Sequence, residues 1–195
     1  VSTVLYADLG FSNEKIAFWT GWLYLPWILK MLWSPLIDAH STKRRWLLSM
    51  QCALGILFLA LAGTIAWEAF RFANQTGSLT FFSLSLFGFL LGSFLSATLD
   101  IATDGYYLLA LNPVVQSKFV GIRTIFYRLA MILGSGPLLS LIAWLSAPNA
   151  KSEPVLLPWP YNWTVLFAFL GVLFLFLTLY HMHILPRPRQ VVSVQ

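Results

Sequence analysis

Four charged residues, Lys30, Asp100, Asp104 and Arg128, interrupt stretches of sequence that are otherwise apolar. A charge at such a place is costly unless it has a partner or a water-filled path, so each is a candidate for function. Asp100 and Asp104 are four residues apart. On a helix that spacing stacks them one turn from each other, and two close carboxylates tend to keep one proton because ionising both is expensive. That is the geometry of a proton carrier, with Lys30 and Arg128 as counter-charges or contacts for an anionic substrate. The same four charges also suit a plainer role, in which they neutralise one another to hold helices together or the two cations reach toward lipid headgroups. A second group, Asp38 followed by Lys43, Arg44 and Arg45, places a carboxylate beside a basic cluster. Such an arrangement can form charge-assisted bonds in one conformation and lose them in another, or simply anchor the chain at a membrane surface.

Other chemistries find little footing. Cys52 is the single cysteine, so no intrachain disulfide can form and its apolar surroundings fit an inert buried thiol. His181 and His183 are two apart and therefore on different helix faces, without acids or cysteines nearby, so no metal site is expected. His40 lies near Asp38 in a short basic connection, a weak basis for a hydrolase centre. The chain has no Gly-rich phosphate loop of the ATPase type and no catalytic Ser/His/Asp spacing, and no cofactor is expected. The tripeptides Asn74-Gln75-Thr76 and Asn162-Trp163-Thr164 fit the glycosylation pattern but carry little weight.

The elements that must hold these residues are set by composition. Of 195 residues, 58% are hydrophobic, 10% charged and 16% aromatic, and the mean hydropathy is +0.75. Soluble domains carry about 25% charged residues, so a soluble enzyme, a nucleic-acid-binding domain and a disordered chain are excluded. The net charge of +5 then bears on topology rather than on nucleic acid. A bilayer core about 30 Å thick takes roughly 20 apolar residues in helix, and five such stretches occur, at 16–37, 46–67, 79–111, 119–145 and 161–185. They are apolar all round, unlike the alternating strands of a β-barrel, so an all-α integral membrane fold is expected. Lys43, Arg44, Arg45, Lys118, Arg123, Arg187 and Arg189 fall on one side of these spans, against Lys15, Arg71 and Lys151 on the other. By the positive-inside rule the first side is cytoplasmic, which puts residue 1 outside and residue 195 inside. An odd number of spans, with Val1 in place of an initiator, suggests a helix before the first residue. Gly88, Gly92 and Ser96 continue the stride that reaches Asp100 and Asp104, as expected for close helix packing, and Gly134, Gly136 and Pro137 mark a weak point that could serve as a hinge or merely a kink.

Two local patterns are similar to known ones. The run Lys30-Met31-Leu32-Trp33-Ser34-Pro35-Leu36-Ile37-Asp38, then Lys43-Arg44-Arg45, resembles the helix 2 to helix 3 signature of the major facilitator superfamily. Its narrower form looks like the branch of AmpG-like muropeptide permeases and acetyl-CoA transporters, although the connection from Asp38 to Lys43 lacks the superfamily's usual glycines. Ala97-Thr98-Leu99-Asp100-Ile101-Ala102-Thr103-Asp104 is similar to that branch's helix 4, and Phe119 to Ala130 to its helix 5. The resemblance implies helices 2 to 6 of an N-terminal six-helix half, residues 1–195 being part of that domain and a C-terminal half lying elsewhere. It also implies a permease of a bacterial inner membrane working by alternating access on a small-molecule substrate, with proton symport, no enzymatic activity, and the lipid bilayer as surroundings. A muropeptide-like cell-wall fragment is the expected cargo. The alternatives are a drug or a sugar carried with protons, acetyl-CoA, or, in a different class, a membrane-embedded transferase or phosphatase.

Overall fold

The computed structural model describes residues 2–8, 11–72, 79–146 and 161–187, and it is all helix, with no strand among them. Val1, Asn74, Lys151, Arg189 and Gln195, which entered the readings of orientation and glycosylation, lie outside the described residues. The helices are α1 (Ser2–Asp8), α2 (Asn13–Gly21), α3 (Leu25–Leu29), α4 (Ser34–Ala39), α5 (Lys43–Phe72), α6 (Leu79–Ala110), α7 (Pro113–Ser135), α8 (Pro137–Ser146) and α9 (Tyr161–Ile184). Among the described residues, four stretches are long and apolar enough to cross a membrane: Lys43–Glu68, Phe81–Ala110, Pro113–Trp144 and Tyr161–Ile184. The chain is an all-α integral membrane protein.

The first expected crossing differs from the others. Residues 16–37 do not form one helix but a series of short pieces, α2, α3 and α4, joined by 3-10 turns at Trp22–Tyr24 and Lys30–Leu32. Pro26 and Pro35 sit in the first turns of α3 and α4. A proline there has no N–H to give to the preceding turn and its ring crowds the carbonyl four residues back, so each restarts the helix rather than continuing it. The segment before it is partly helical: α1 is folded in, with Leu5 and Tyr6 buried. The expected weak point in the fourth stretch falls at Gly136, where φ −108° and ψ −86° end α7 and Pro137 opens α8. At its other end α7 is capped by Asn112, whose side chain accepts from the Val115 amide at 2.9 Å, with Pro113 at the first helical position.

The core is built by α5, α6 and α9. Leu61, Ile65, Phe81, Trp163, Leu166 and Phe167 form its centre and Leu5 of α1 closes it from one end. At that end Tyr6 hydrogen-bonds to Ser85 at 3.0 Å, and burial pushes its phenol up to about 12. The α5–α9 pair is close because Gly55 faces Gly171: a Cβ on Gly171 would stand 2.9 Å from the Gly55 carbonyl oxygen. Gly88 and Gly92, read as packing residues, do pack, facing Leu61 and Leu57 of α5. At the opposite end Leu47, Ala102 and Tyr106 make a smaller cluster with Leu185 against it. There the chain turns from α4 to α5 through Ser41 at φ 120°, a conformation that favours glycine. The connection from Asp38 to Lys43, which contains no glycine, thus still adopts a glycine-like backbone.

Candidate functional site

The two carboxylates of α6 are held by two different neighbours. Asp100 Oδ2 accepts from Lys30 Nζ at 2.7 Å, and Asp104 forms an ion pair with Arg123 of α7. They do not share one proton-bearing contact; each has its own cation. Arg128, expected as a partner, is exposed on α7 and makes no ion pair among the described residues. Arg123, read from the sequence only as a topology marker, takes the place expected for it. The hairpin register explains the exchange. The chain folds back at Leu111 and Asn112, so a residue seven before the turn lies roughly opposite one seven or eight after it, much nearer 123 than 128.

The broken helix explains why Lys30 meets Asp100. Residues three apart eclipse in a 3-10 turn, and Trp27, Lys30 and Trp33 are spaced by three around the turn at Lys30–Leu32. Lys30 and Trp33 bond to α6, and Trp27 lies against Lys30 at the cavity. Trp33 Nε1 donates to Thr98 Oγ1 at 3.2 Å, Lys30 bonds Asp100, and the Lys30 ammonium lies 5.2 Å from the centre of the Trp27 ring. Ser93 of α6 donates to the Leu23 carbonyl one stage earlier, satisfying a backbone group that the irregular helix leaves free. Trp33 entered the sequence reading only as part of the Lys30 to Asp38 signature and Trp27 only as aromatic load; the spacing of three through Trp27, Lys30 and Trp33, beside Pro26 and Pro35, was the available signal.

Both ion pairs border one cavity of about 390 Å³, whose lining includes Trp27, Asp100, Asp104, Tyr107, Arg123 and Tyr127. The Arg123 guanidinium lies 5.8 Å from the Tyr107 ring centre, within the range of a cation–π contact. Side chains of Lys30 and Asp100 are 31% and 27% exposed, and those of Arg123 and Asp104 47% and 43%. The charges are therefore paired yet reachable. The arrangement can bind an anion through its cations or take a proton on its carboxylates.

The second group divides its work. Lys43 pairs with Asp38, and its stem lies so close over Gly105 that a Cβ there would come within 2.7 Å of Lys43 Cε. Arg44 turns away to α9, donating to the carbonyls of Met182 at 2.6 Å and Leu185 at 3.1 Å. These are end carbonyls with no helical partner, and a cation at a helix C-terminus is favoured by the dipole as well. Tyr106 adds a bond to the Pro186 carbonyl at 2.9 Å. Arg45 is exposed, and its backbone amide donates to Thr42 Oγ1 at 3.2 Å. Of the cluster, only Lys43 meets Asp38. His181 engages Gln51 of α5 at 2.9 Å, another tie between α9 and α5.

Comparison with known proteins gives a family. An uncharacterized protein of Haemophilus influenzae is 29% identical over 184 residues, covering 91% of this chain and 37% of that protein. The chain thus spans little more than a third of the relative's length. No solved structure matches it significantly. Residues 10–191 match the family described as Acetyl-coenzyme A transporter 1. That match takes in the broken helix, both ion pairs on α6, and the ties of α5 to α9, and by it the chain belongs to the acetyl-coenzyme A transporter 1 family of membrane transporters.

Proposed function

We propose that the chain is part of a secondary transporter that moves acetyl-coenzyme A, or a closely related anionic acyl carrier, by alternating access, with Asp100 and Asp104 coupling the movement to protons. The observation that carries this reading is a cavity bordered by two ion pairs, one on a discontinuous helix. Transporters commonly place their sites at such broken helices, where irregular backbone lines a cavity. The segment 13–39 is then a fifth, interrupted crossing, and the arrangement is that of helices 2 to 6 in a superfamily half-bundle. The facing wall of the path would come from the remainder of a protein as long as the relative.

The end that carries Asp38, Lys43, Arg44, Arg45, Lys118 and Arg187 is cytoplasmic in this reading, since the N-termini of α5 and α7 and the C-termini of α6 and α9 gather there with the basic residues. Asp38 and Lys43 act as a latch at that end. A cell-wall muropeptide, the cargo expected from the broader resemblance, becomes the rival, because the matched family is described by acetyl-coenzyme A.

Uptake of labelled acetyl-CoA, anhydro-muropeptide and sugars into vesicles bearing the full-length protein, with and without an imposed pH gradient, tests the proposal. Acetyl-CoA uptake that responds to the gradient, and loses the response in Asp100→Asn or Asp104→Asn, is the expected result. Uptake of a muropeptide or sugar alone rejects the cargo. Gradient-driven uptake kept by both variants makes the carboxylates structural counter-ions.

A further inference from the structure

We propose that Asp100 and Asp104 are place-holders for the substrate's own anionic groups, occupying Lys30 and Arg123 until a diphosphate-bearing ligand displaces them and frees α6 from both neighbours. The inference rests on the transport reading and names the ligand chemistry of its cavity.

The argument begins with connectivity. Each ion pair bridges α6 to a different element, Lys30 reaching from the broken helix and Arg123 from α7. The two carboxylates are four residues apart, about 6 Å along the axis, and both line the cavity together with Arg123, while Lys30 stands 2.7 Å behind Asp100. An anion with two charged groups a few ångströms apart can meet both. Neither pair is sealed: all four side chains retain between 27% and 47% exposure. A competing anion can therefore reach the cations without first unfolding the site.

The rest of the lining fits the remainder of such a ligand. Trp27, Tyr107 and Tyr127 bring three aromatic faces to the cavity, two of which already carry the cations in ring contact. A heteroaromatic base stacks on such faces in the same way, and its attached diphosphate would lie beside the ammonium and guanidinium. A nucleoside diphosphate matches this combination better than an uncharged sugar, which would leave both ion pairs in place and gain nothing from the cations.

The exchange has a mechanical consequence. α7 has no buried residue of its own, so what secures it to α6 is polar: the Asp104–Arg123 pair and, close to the turn, the Tyr107 bond to the Gln116 carbonyl at 2.6 Å and the Gln116 side-chain bond to the Leu108 carbonyl at 3.1 Å. When a ligand takes Arg123, α7 loses its ion pair to α6 and can swing with the ligand about the bonds at Gln116. Binding energy is then differential between two arrangements of the helices, which is what a ligand needs in order to shift their equilibrium.

The test is isothermal titration of ADP into the full-length protein in nanodiscs of neutral lipid. Asp100→Asn and Asp104→Asn remove the internal competitor and should each tighten ADP about five- to tenfold. Lys30→Gln and Arg123→Gln should weaken it by at least that factor, and Lys30→Gln combined with Asp100→Asn should show no tightening. Unchanged or weaker binding in both aspartate variants overturns the proposal. Should those variants fail to fold, the cation variants decide it: ADP binding unaffected by Lys30→Gln and Arg123→Gln refutes it. A parallel titration in nanodiscs containing anionic phospholipid separates a soluble ligand from a headgroup. Unaltered ADP affinity supports the nucleotide, and abolished binding assigns the cations to lipid phosphate instead. Tightening of ADP without acetyl-CoA uptake leaves the place-holders standing and sinks the cargo; uptake without tightening does the reverse.

Discussion

Gly171→Ala measures how far the α5–α9 pair depends on close backbone approach. A Cβ at position 171 would meet Leu59 Cγ at 2.7 Å and the Gly55 carbonyl oxygen at 2.9 Å. The leucine can rotate, but the oxygen belongs to the backbone of α5. Ordinary contact begins at 3.4 Å, so the two helices must part there by about half an ångström or carry the overlap. Overpacking of this kind costs about 1–3 kcal/mol. Against it stands the gain from replacing glycine in a helix, about 1 kcal/mol. Gly63→Ala supplies the control, because that glycine lies in α5 with nothing within 4 Å of its Cβ position. Propensity cancels between the two variants, and their difference isolates the packing cost. With the full-length protein in mild detergent, followed by tryptophan fluorescence on heating, Gly171→Ala should melt below Gly63→Ala by several degrees, at about 2–4 °C per kcal/mol. Equal midpoints would refute the claim that small residues set the α5–α9 distance.

Two further perturbations separate holding from switching. Asp38→Asn should lower transport while leaving the melting midpoint nearly unchanged, because Asp38 is 60% exposed and exposed pairs contribute only about 0–1 kcal/mol; unaltered transport rejects the latch. Arg44→Gln should instead lower stability by about 1–3 kcal/mol, since it strips charge-assisted bonds from two end carbonyls of α9, and an unmoved midpoint would show that water replaces them freely. Tyr6→Phe tests the other end of the bundle. It should cost about 1 kcal/mol at neutral pH through loss of the Ser85 bond. The phenol of folded Tyr6 is pushed up to about 12 from 10.0, so its neutral form is the one the fold stabilises. That contribution is complete below pH 10.0 and lost as the pH rises toward about 12. The gap between wild type and Tyr6→Phe should therefore narrow across that interval in an alkaline unfolding series, and a constant gap would refute the burial argument.

Periodicity and hydropathy reached most of the scaffold because lipid leaves a chain few choices. A long run such as 161–185 must satisfy its backbone internally, and α9 occupies Tyr161–Ile184. What composition could not convey was local discontinuity. The stretch 16–37 is as apolar as its neighbours, yet Pro26 and Pro35 interrupt it, and hydropathy averages over prolines. The same blindness affected the site. Asp100, Asp104 and Lys30 stand out because charge in an apolar run is rare, so sequence alone selects them. Choosing between Arg123 and Arg128 requires the position of the turn at Leu111 and Asn112, a matter of hairpin register and not of composition. The grouping of Asp38 with three cations likewise suggests one cluster, whereas Lys43 and Arg44, adjacent on a helix and so pointing in different directions, serve different partners.

These details sort the bundle by the kind of force at each contact. α5, α6 and α9 meet through buried leucine, isoleucine and aromatic side chains and through glycines that admit no added carbon. Such contacts can be lost only by exposing the groups that make them, and no small ligand replaces them. The broken helix also packs on α6, with Ile16 against Phe82 and Trp33 against Phe94, but beside the cavity it and α7 are joined to α6 by ion pairs and single hydrogen bonds, Lys30 to Asp100, Trp33 to Thr98 and Arg123 to Asp104. Polar contacts of this sort are exchangeable, because an anion, a proton or water can take either partner's place at modest cost. The elements that border the cavity are thus the ones whose attachment chemistry a substrate can imitate. A transporter needs that division, since a site that opens to one side and then the other must move some helices while others keep their packing. In the proposed mechanism the apolar trio would supply the fixed frame, and the charged faces of α6 the contacts that change.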